Sequence, residues 1–289
     1  MSTPASSVSA GSGRIDADAP WRRSAMPFSV VHLGQSAVVL KAGPSDRLLV
    51  VTGSAGGLMP DGICLPDAAF QAARARLARA QRDGARIWAT EQVTHERTWS
   101  ALVPTDLRIT PAPLDGTAIR TMKREMGEPD RRFADARIDS MDPSAARLRS
   151  GSLAAAGIRR PGEVVPVLRR LIGAGPGTTP SGDDVIVGVL AGLAVADRRA
   201  AFEAIAAALP GLLSRTTLAS RHYLTAAAAG RFGEHVHHLV AAVTGTAPTG
   251  QALERARTWG ASSGLDLLTG LIAAVSEHLL APPTMERSA

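Results

Sequence analysis

One segment, GAGPGTTPSGDD at residues 173–184, most constrains how this chain can fold. Apolar patterns typical of helices lie on both sides of it, so the segment is predicted to be a loop that opens a helix. Glycines allow positive φ angles and close approach of the backbone to a ligand. A helix N-terminus adds free N–H donors and a partial positive charge. The segment therefore predicts a site for phosphate or carboxylate.

The segment supplies two kinds of candidate site residue. The predicted anion-binding residues are Gly175, Gly177, Thr178, Thr179, Ser181 and Gly182. Asp183 and Asp184 are predicted catalytic residues that could hold Mg²⁺ or a substrate amide, and no cofactor is indicated with certainty. The alternative is an ordinary helix start, with Thr179 or Ser181 as N-cap and acidic residues favoured by the helix dipole. So many glycines, prolines and hydroxyls in one short segment favour the ligand site.

A second copy of the pattern follows 82 residues later. Ser263-Gly264-Leu265-Asp266 with Gly270 repeats Ser181-Gly182-Asp183-Asp184 with Gly188. This predicts that two helix N-termini face one pocket, which adds Asp266 to the catalytic candidates and Ser263 and Gly264 to the binding candidates. Small residues four apart also permit close helix crossing, so a purely structural repeat remains open.

These motifs resemble the family of the oxamate carbamoyltransferase subunit AllH. The resemblance rests on the glycine-rich run, the later Ser-Gly-x-Asp element and the Thr216-Thr217-x-x-Ser220 segment, within residues 28–280. It implies carbamoyl transfer between oxamate or oxalurate and carbamoyl phosphate in purine-ring degradation. It also implies that Thr217 and Ser220 join the substrate site. The Ser-x-x-x-x-Thr-Arg signature of other carbamoyltransferases is absent, which favours a subunit with partner subunits.

Composition narrows the remaining function classes. The net charge is +6, but arginines are scattered, lysines occur only at Lys41 and Lys123, and aromatics make up 3 %. Neither an RNA-binding aromatic platform nor a basic run is present, so no nucleic-acid partner is predicted.

The single cysteine, Cys64, is interpreted as a small buried hydrophobe. The spacing of His235 and His238 is compatible with metal ligation, but a surface or interface helix is the preferred interpretation.

The organisation predicted along the chain is α+β. Residues 1–25 are predicted to be a disordered tail, 26–116 a β-rich barrel or sandwich-like domain, 117–281 a helical domain with the glycine-rich loop, and 282–289 a frayed tail. No uninterrupted apolar run is long enough to span a bilayer, so a cytoplasmic protein without a membrane partner is expected.

The motifs predict a site for a small anionic substrate, and the resemblance to the AllH family implies that the chain is a carbamoyltransferase subunit. Two other functions remain open at this level. One is a non-catalytic subunit that binds a small ligand and organises partners. The other is metal-dependent phosphoryl transfer, which relies on Asp183 and Asp184 but has no P-loop Gly-Lys-Ser/Thr.

Overall fold

The computed structural model describes residues 13–19, 27–43, 46–83, 87–88, 102–126 and 143–280. The chain divides into two compact units, Met1–Leu107 and Arg108–Ala289. The first contains a mixed sheet and a helix, and the second is helical in its described part. The predicted α+β class is therefore confirmed.

The strands of the first unit form one open mixed sheet. They are β1 (Arg14–Asp16), β2 (Pro27–Leu33), β3 (Ala37–Ala42), β4 (Leu48–Thr52), β5 (Gly62–Cys64), β6 (Ile87–Trp88) and β7 (Val103–Thr105). Their order is β6-β2-β3-β4-β5-β1-β7, with parallel pairing between β4 and β5 and between β1 and β7. Within the described residues β6 and β7 are the sheet edges, so the predicted barrel is wrong in that the sheet does not close.

The burial of β4 fits its position in the middle of the sheet. β4 reads Leu-Leu-Val-Val-Thr and is buried along its whole length, which is typical of a central strand covered on both faces. Helix α1 (Asp67–Arg82) follows β5 and buries Phe70, Ala73 and Leu77, which are three and four residues apart. These side chains belong to the same apolar core as Val38, Leu40 and the inner residues of β4.

The segment 1–25 contains a strand that was predicted as disordered tail. Arg14–Asp16 pairs with β5 on one side and β7 on the other. Asp16 is fully buried, and its carboxylate accepts hydrogen bonds from the N–H groups of Asp18 and Asp61. The strand pairing and the bond to Asp61 connect residues distant in sequence. Local composition does not reveal such contacts, which explains why it suggested disorder. Residues 1–12 and 20–25 of the predicted tail, and the tail at 282–289, lie outside the described residues.

The second unit is built from nine described helices. They are α2 (Gly116–Glu125), α3 (Pro143–Arg159), α4 (Val164–Leu171), α5 (Ser181–Val195), α6 (Arg199–Ala208), α7 (Leu218–Ala228), α8 (Glu234–Val243), α9 (Thr249–Thr258) and α10 (Ser263–Leu280). The predicted domain boundary at residue 116 lies inside this unit. The N–H groups of Ala112 and Asp115 bond the carbonyls of Val195 and Val243, which places residues 108–115 with the helices.

Helices α5 and α10 form the centre of the helical unit and cross at glycines. A Cβ on Gly188 would lie 2.0 Å from the carbonyl oxygen of Leu267, and one on Gly270 would lie 2.1 Å from that of Val185. One turn further on, Gly192 meets Leu271 and Ala274, so the two helices run in the same direction. Their N-termini therefore lie at the same end of the crossing.

Helix α10 is long and apolar enough to cross a membrane by length and composition alone. Half of it is buried inside the helical unit, however, and core helices of this kind meet the same criterion. Its buried side includes Leu267, Leu268, Leu271 and Val275. The packing against α5 accounts for its apolar sequence, and the membrane evidence is weak.

The crossing predicts that Gly188→Ala destabilises the chain by about 3 kcal/mol or more, at the upper end of overpacking penalties. Alanine suits a helix better than glycine, so any loss comes from the contact with the Leu267 carbonyl. Gly250→Ala in α9, where nothing lies within 4 Å, is the matched control and should be neutral or slightly stabilising. Urea unfolding of both variants measures the difference, and equal midpoints would contradict the close crossing.

Candidate functional site

The glycine-rich loop between α4 and α5 is held in place by a buried aspartate. Gly173, Gly175 and Gly177 all have positive φ angles, which glycine adopts readily. The Gly173 N–H donates to Oδ1 of Asp183 at 2.8 Å, and the Thr216 hydroxyl donates to Oδ2. Asp183 is 2 % exposed, and burial raises its pKa while these two hydrogen bonds lower it. Each oxygen already accepts a hydrogen bond, as expected of a residue that positions the loop.

The start of α7 is attached to the same loop. Thr217 is its N-cap, and the Thr217 Oγ1 accepts from the Ser220 N–H at 3.1 Å. The same hydroxyl donates to the carbonyl oxygen of Thr178 at 2.5 Å. The structure therefore brings Thr178 together with Thr217 and Ser220, which lie in a later segment of the chain. All three residues were predicted for the site from the sequence.

Asp184 lies where the two Ser-Gly-x-Asp elements meet. The hydroxyls of Thr179 and Ser263 are 3.1 Å apart, joining the starts of α5 and α10. Burial raises the pKa of Asp184 well above its usual range, and the charges of Asp266 and Asp183 raise it further. Hydrogen bonding from Ser263 and Thr179 opposes this shift. The charge of Asp266, on the second element, is thus among the causes that raise the pKa of Asp184, and the shared pocket of the two residues stays a prediction.

Oδ2 of Asp184 has no protein partner among the described residues. Asp184 is 8 % exposed, and its Oδ2 is buried without a hydrogen bond to any described residue. A buried acceptor without a hydrogen bond costs about 1–3 kcal/mol of stability. A proton, water or ligand bound at Oδ2 would offset this cost. Asp266 is also buried, at 9 % exposure.

The glycines inside the two motifs serve packing. A Cβ on Gly182 would lie 1.9 Å from the Leu171 carbonyl oxygen, and one on Gly264 would lie 2.2 Å from that of Ala256. Their N–H groups bond the carbonyls of Ala174 and Trp259. Both were predicted to bind substrate. Because each backbone is enclosed by the preceding helix and its donor is used, we assign them no ligand contact.

The glycine-rich loop has an exposed part and a buried part. Pro176, Gly177 and Thr178 are exposed, whereas Ser181 is buried at the start of α5. A Cβ on Gly175 would lie 2.9 Å from the Ser181 nitrogen, so this glycine permits a tight turn. At Gly177 nothing lies within 4 Å, and an anion could approach its backbone. Anion binding by Gly175, Gly177, Thr178, Thr179 and Ser181 stays a prediction.

Two residues of this site were not predicted from the sequence. Thr216 was recognised as part of a motif but was not assigned the contact with Asp183 that it makes. Burial and the neighbouring Asp184 charge raise the pKa of Tyr223 on α7. Tyr223 follows Ser220 by three residues and so lies on the same helix face. That spacing, at the only tyrosine of the chain, was the available signal.

The histidine pattern on α8 has a packing role. The imidazole of His235 stacks on the Trp259 indole with ring centroids 4.0 Å apart and planes 12° apart. Burial lowers the pKa of His235 to about 3, which keeps the ring neutral. Within residues that the structure describes, no group of three or more His, Cys, Asp or Glu side chains is arranged to hold a metal ion. Mg²⁺ binding therefore has no support from a ligand cluster there.

The raised pKa of Asp184 predicts how stability depends on pH. A carboxyl that binds its proton more tightly in the folded state stabilises the fold at low pH, and this stability is lost as pH rises through the folded pKa. Asp184→Asn removes the buried charge, so its unfolding free energy should exceed that of the wild type increasingly from about pH 4 upward. Urea unfolding between pH 4 and 8 tests this, with Asp197→Asn at an exposed position as control. A wild-type advantage that grows with pH would contradict it.

Comparison with known proteins places this site within a family match. The family model described as "Oxamate carbamoyltransferase subunit AllH" matches residues 171–275, which contain the glycine-rich loop, Thr217, Ser220 and the second Ser-Gly-x-Asp element. No curated protein and no solved structure gives a significant match. From the motifs, the resemblance was expected to extend over residues 28–280, and the match covers the site-bearing part of that range. Over residues 171–275, the chain's resemblance to the AllH family is confirmed.

Proposed function

We propose that the chain is a subunit of a carbamoyltransferase that uses a small anionic substrate, of the oxamate or oxalurate and carbamoyl phosphate type, in purine-ring nitrogen catabolism. The family match supplies the reaction class and spans the whole candidate site. The observation that carries the proposal is the buried Asp184 oxygen without a partner, where two helix starts meet. A buried acceptor of this kind suits a substrate with N–H groups.

The reaction requires orientation and one proton transfer. In the direction of oxalurate synthesis, the amide nitrogen of oxamate attacks the carbonyl carbon of carbamoyl phosphate. The carbon–nitrogen bond forms, the carbon–oxygen bond to phosphate breaks, and the nitrogen loses one proton. Asp184 would orient the nitrogen and accept that proton, because a carboxylate of raised pKa is a better base than an ordinary one. Phosphate would leave with the pair of electrons of the broken bond.

The other site residues would support this step. Asp183 would hold the loop through Gly173 and Thr216, and Asp266 would keep the pKa of Asp184 raised. Backbone N–H groups at Gly177 and Thr178 would bind the anionic end, since this part of the loop is exposed. Catalysis would then come mainly from positioning two small substrates.

Partner subunits and a cytoplasmic location belong to this proposal. The family description names a subunit, which supports an assembly in which other chains complete the active site. A non-catalytic role in ligand binding is the second candidate. It is favoured by the internal hydrogen bonds that occupy both oxygens of Asp183, which leave few groups for acid–base work. No described metal-ligand cluster favours phosphoryl transfer, and we do not put it forward.

The test is carbamoyl transfer by the chain alone and together with its candidate partner subunits. Carbamoyl phosphate and oxamate are supplied, and oxalurate and phosphate are measured. Asp184→Asn should lower turnover about a hundredfold or more, since a lost charged interaction of ~3 kcal/mol corresponds to that factor. Asp197→Asn, the same substitution at an exposed site, should leave turnover unchanged.

The outcomes separate the two candidates. Loss of turnover in Asp184→Asn with an intact melting curve supports catalysis at this site. Wild-type turnover in an assembly containing Asp184→Asn would contradict it. If that variant assembly still requires the chain to be present, the non-catalytic role is favoured instead.

A further inference from the structure

The buried end of the site is an acceptor of hydrogen bonds, although two helix N-termini meet there. Helix N-termini usually offer N–H donors to anions. In α5, the N–H of Gly182 donates to the Ala174 carbonyl, and those of Asp183 and Asp184 donate to the Pro180 carbonyl. In α10, the N–H of Gly264 donates to Trp259 and that of Asp266 to Ser262. These five N–H groups already donate to carbonyl oxygens, so an anion gains no hydrogen bond from them.

The charges around Asp184 also disfavour binding of an anion at the buried end of the site. Asp184 is buried beside the charges of Asp266 and Asp183. The nearby hydroxyls of Thr179 and Ser263 are bonded to each other, which uses one of their two protons and leaves at most one to donate to Asp184. When Asp184 is ionised, a carboxylate or phosphate placed against its Oδ2 would meet like charge in a buried environment, which is strongly unfavourable. A neutral N–H group would instead supply the missing hydrogen bond.

We propose that Asp184 is a specificity-determining residue that reads the primary amide end of the substrate and rejects a carboxylate at the same position. The substrate would therefore enter with its amide toward the Asp184–Asp266 pair. Its anionic end would remain at the exposed loop near Gly177 and Thr178. This deepens the proposed function and rests on it only for the choice of probes.

The orientation gives the two ends of the site opposite requirements. The exposed end of the loop can offer backbone donors to negative charge, while the buried end accepts from nitrogen. Oxamate meets both requirements because it has one amide and one carboxylate. Oxalate has the same size but a carboxylate at each end. The protein offers an acceptor here and needs the donor from its substrate. A site of this kind discriminates strongly against an analogue that lacks the donor.

The test compares the binding of oxamate and oxalate to the full-length chain by calorimetry at fixed pH. The wild type should bind oxamate about tenfold or more tightly than oxalate, the factor expected for a hydrogen bond to a charged group. Asp184→Asn should lose or reverse this preference, because the asparagine amide can donate to a carboxylate. Asp197→Asn should keep the wild-type preference. Melting curves confirm that each variant is folded.

Each outcome bears on the inference independently of catalysis. Equal affinity for the two probes in the wild type, or no binding of either at millimolar concentration, would overturn it even if Asp184→Asn failed to fold. A preserved oxamate preference in folded Asp184→Asn would remove Asp184 as its source. An oxamate preference that depends on Asp184 in a chain without transferase activity would support the inference while the proposed function fails.

Discussion

The crossing of α5 and α10 at Gly188 and Gly270 is the contact on which the helical unit depends. Each glycine faces a backbone carbonyl of the opposite helix at a distance that excludes even a methyl group. This approach lets two apolar helices share one core. It also brings both N-termini to one end, where Thr179 and Ser263 come within hydrogen-bond distance. The candidate site is thus a consequence of how the core is packed.

Burying three aspartates at these helix starts is costly, and the structure offsets the cost unequally. Asp183 receives hydrogen bonds from the Gly173 N–H and the Thr216 hydroxyl and thereby fixes the glycine-rich loop. Asp184 keeps one oxygen without a protein partner and a pKa raised well above its usual range. A protein that needed only stability would lose little by replacing such a group with a neutral one. This difference separates Asp183, which positions the loop, from Asp184, for which we propose a ligand contact.

The repeated motif illustrates how a local pattern can serve two purposes. Gly182 and Gly264 allow the preceding helices to pack against the starts of α5 and α10, and Gly188 and Gly270 form the crossing. The aspartates of the same motifs meet at the candidate site. The packing interpretation of the repeat is therefore supported at its glycines, and the ligand-binding interpretation of its aspartates stays a prediction. The glycines bring the helix starts together, and a chemical role for the carboxylates there is what we propose.

The sequence alone determined the α+β class, the glycine-rich loop before a helix, the repeated Ser-Gly-x-Asp element and the AllH resemblance over residues 171–275. These features depend on local patterns of glycine, proline and apolar residues, which can be recognised without knowing the fold. The tertiary structure decided the rest. The strand Arg14–Asp16, the contact between Thr216 and Asp183, and the neighbourhood of Tyr223 and Asp184 all join segments distant in sequence. Whether Oδ2 of Asp184 finds a hydrogen-bond donor depends on every atom packed around it, and no periodicity in the chain encodes that.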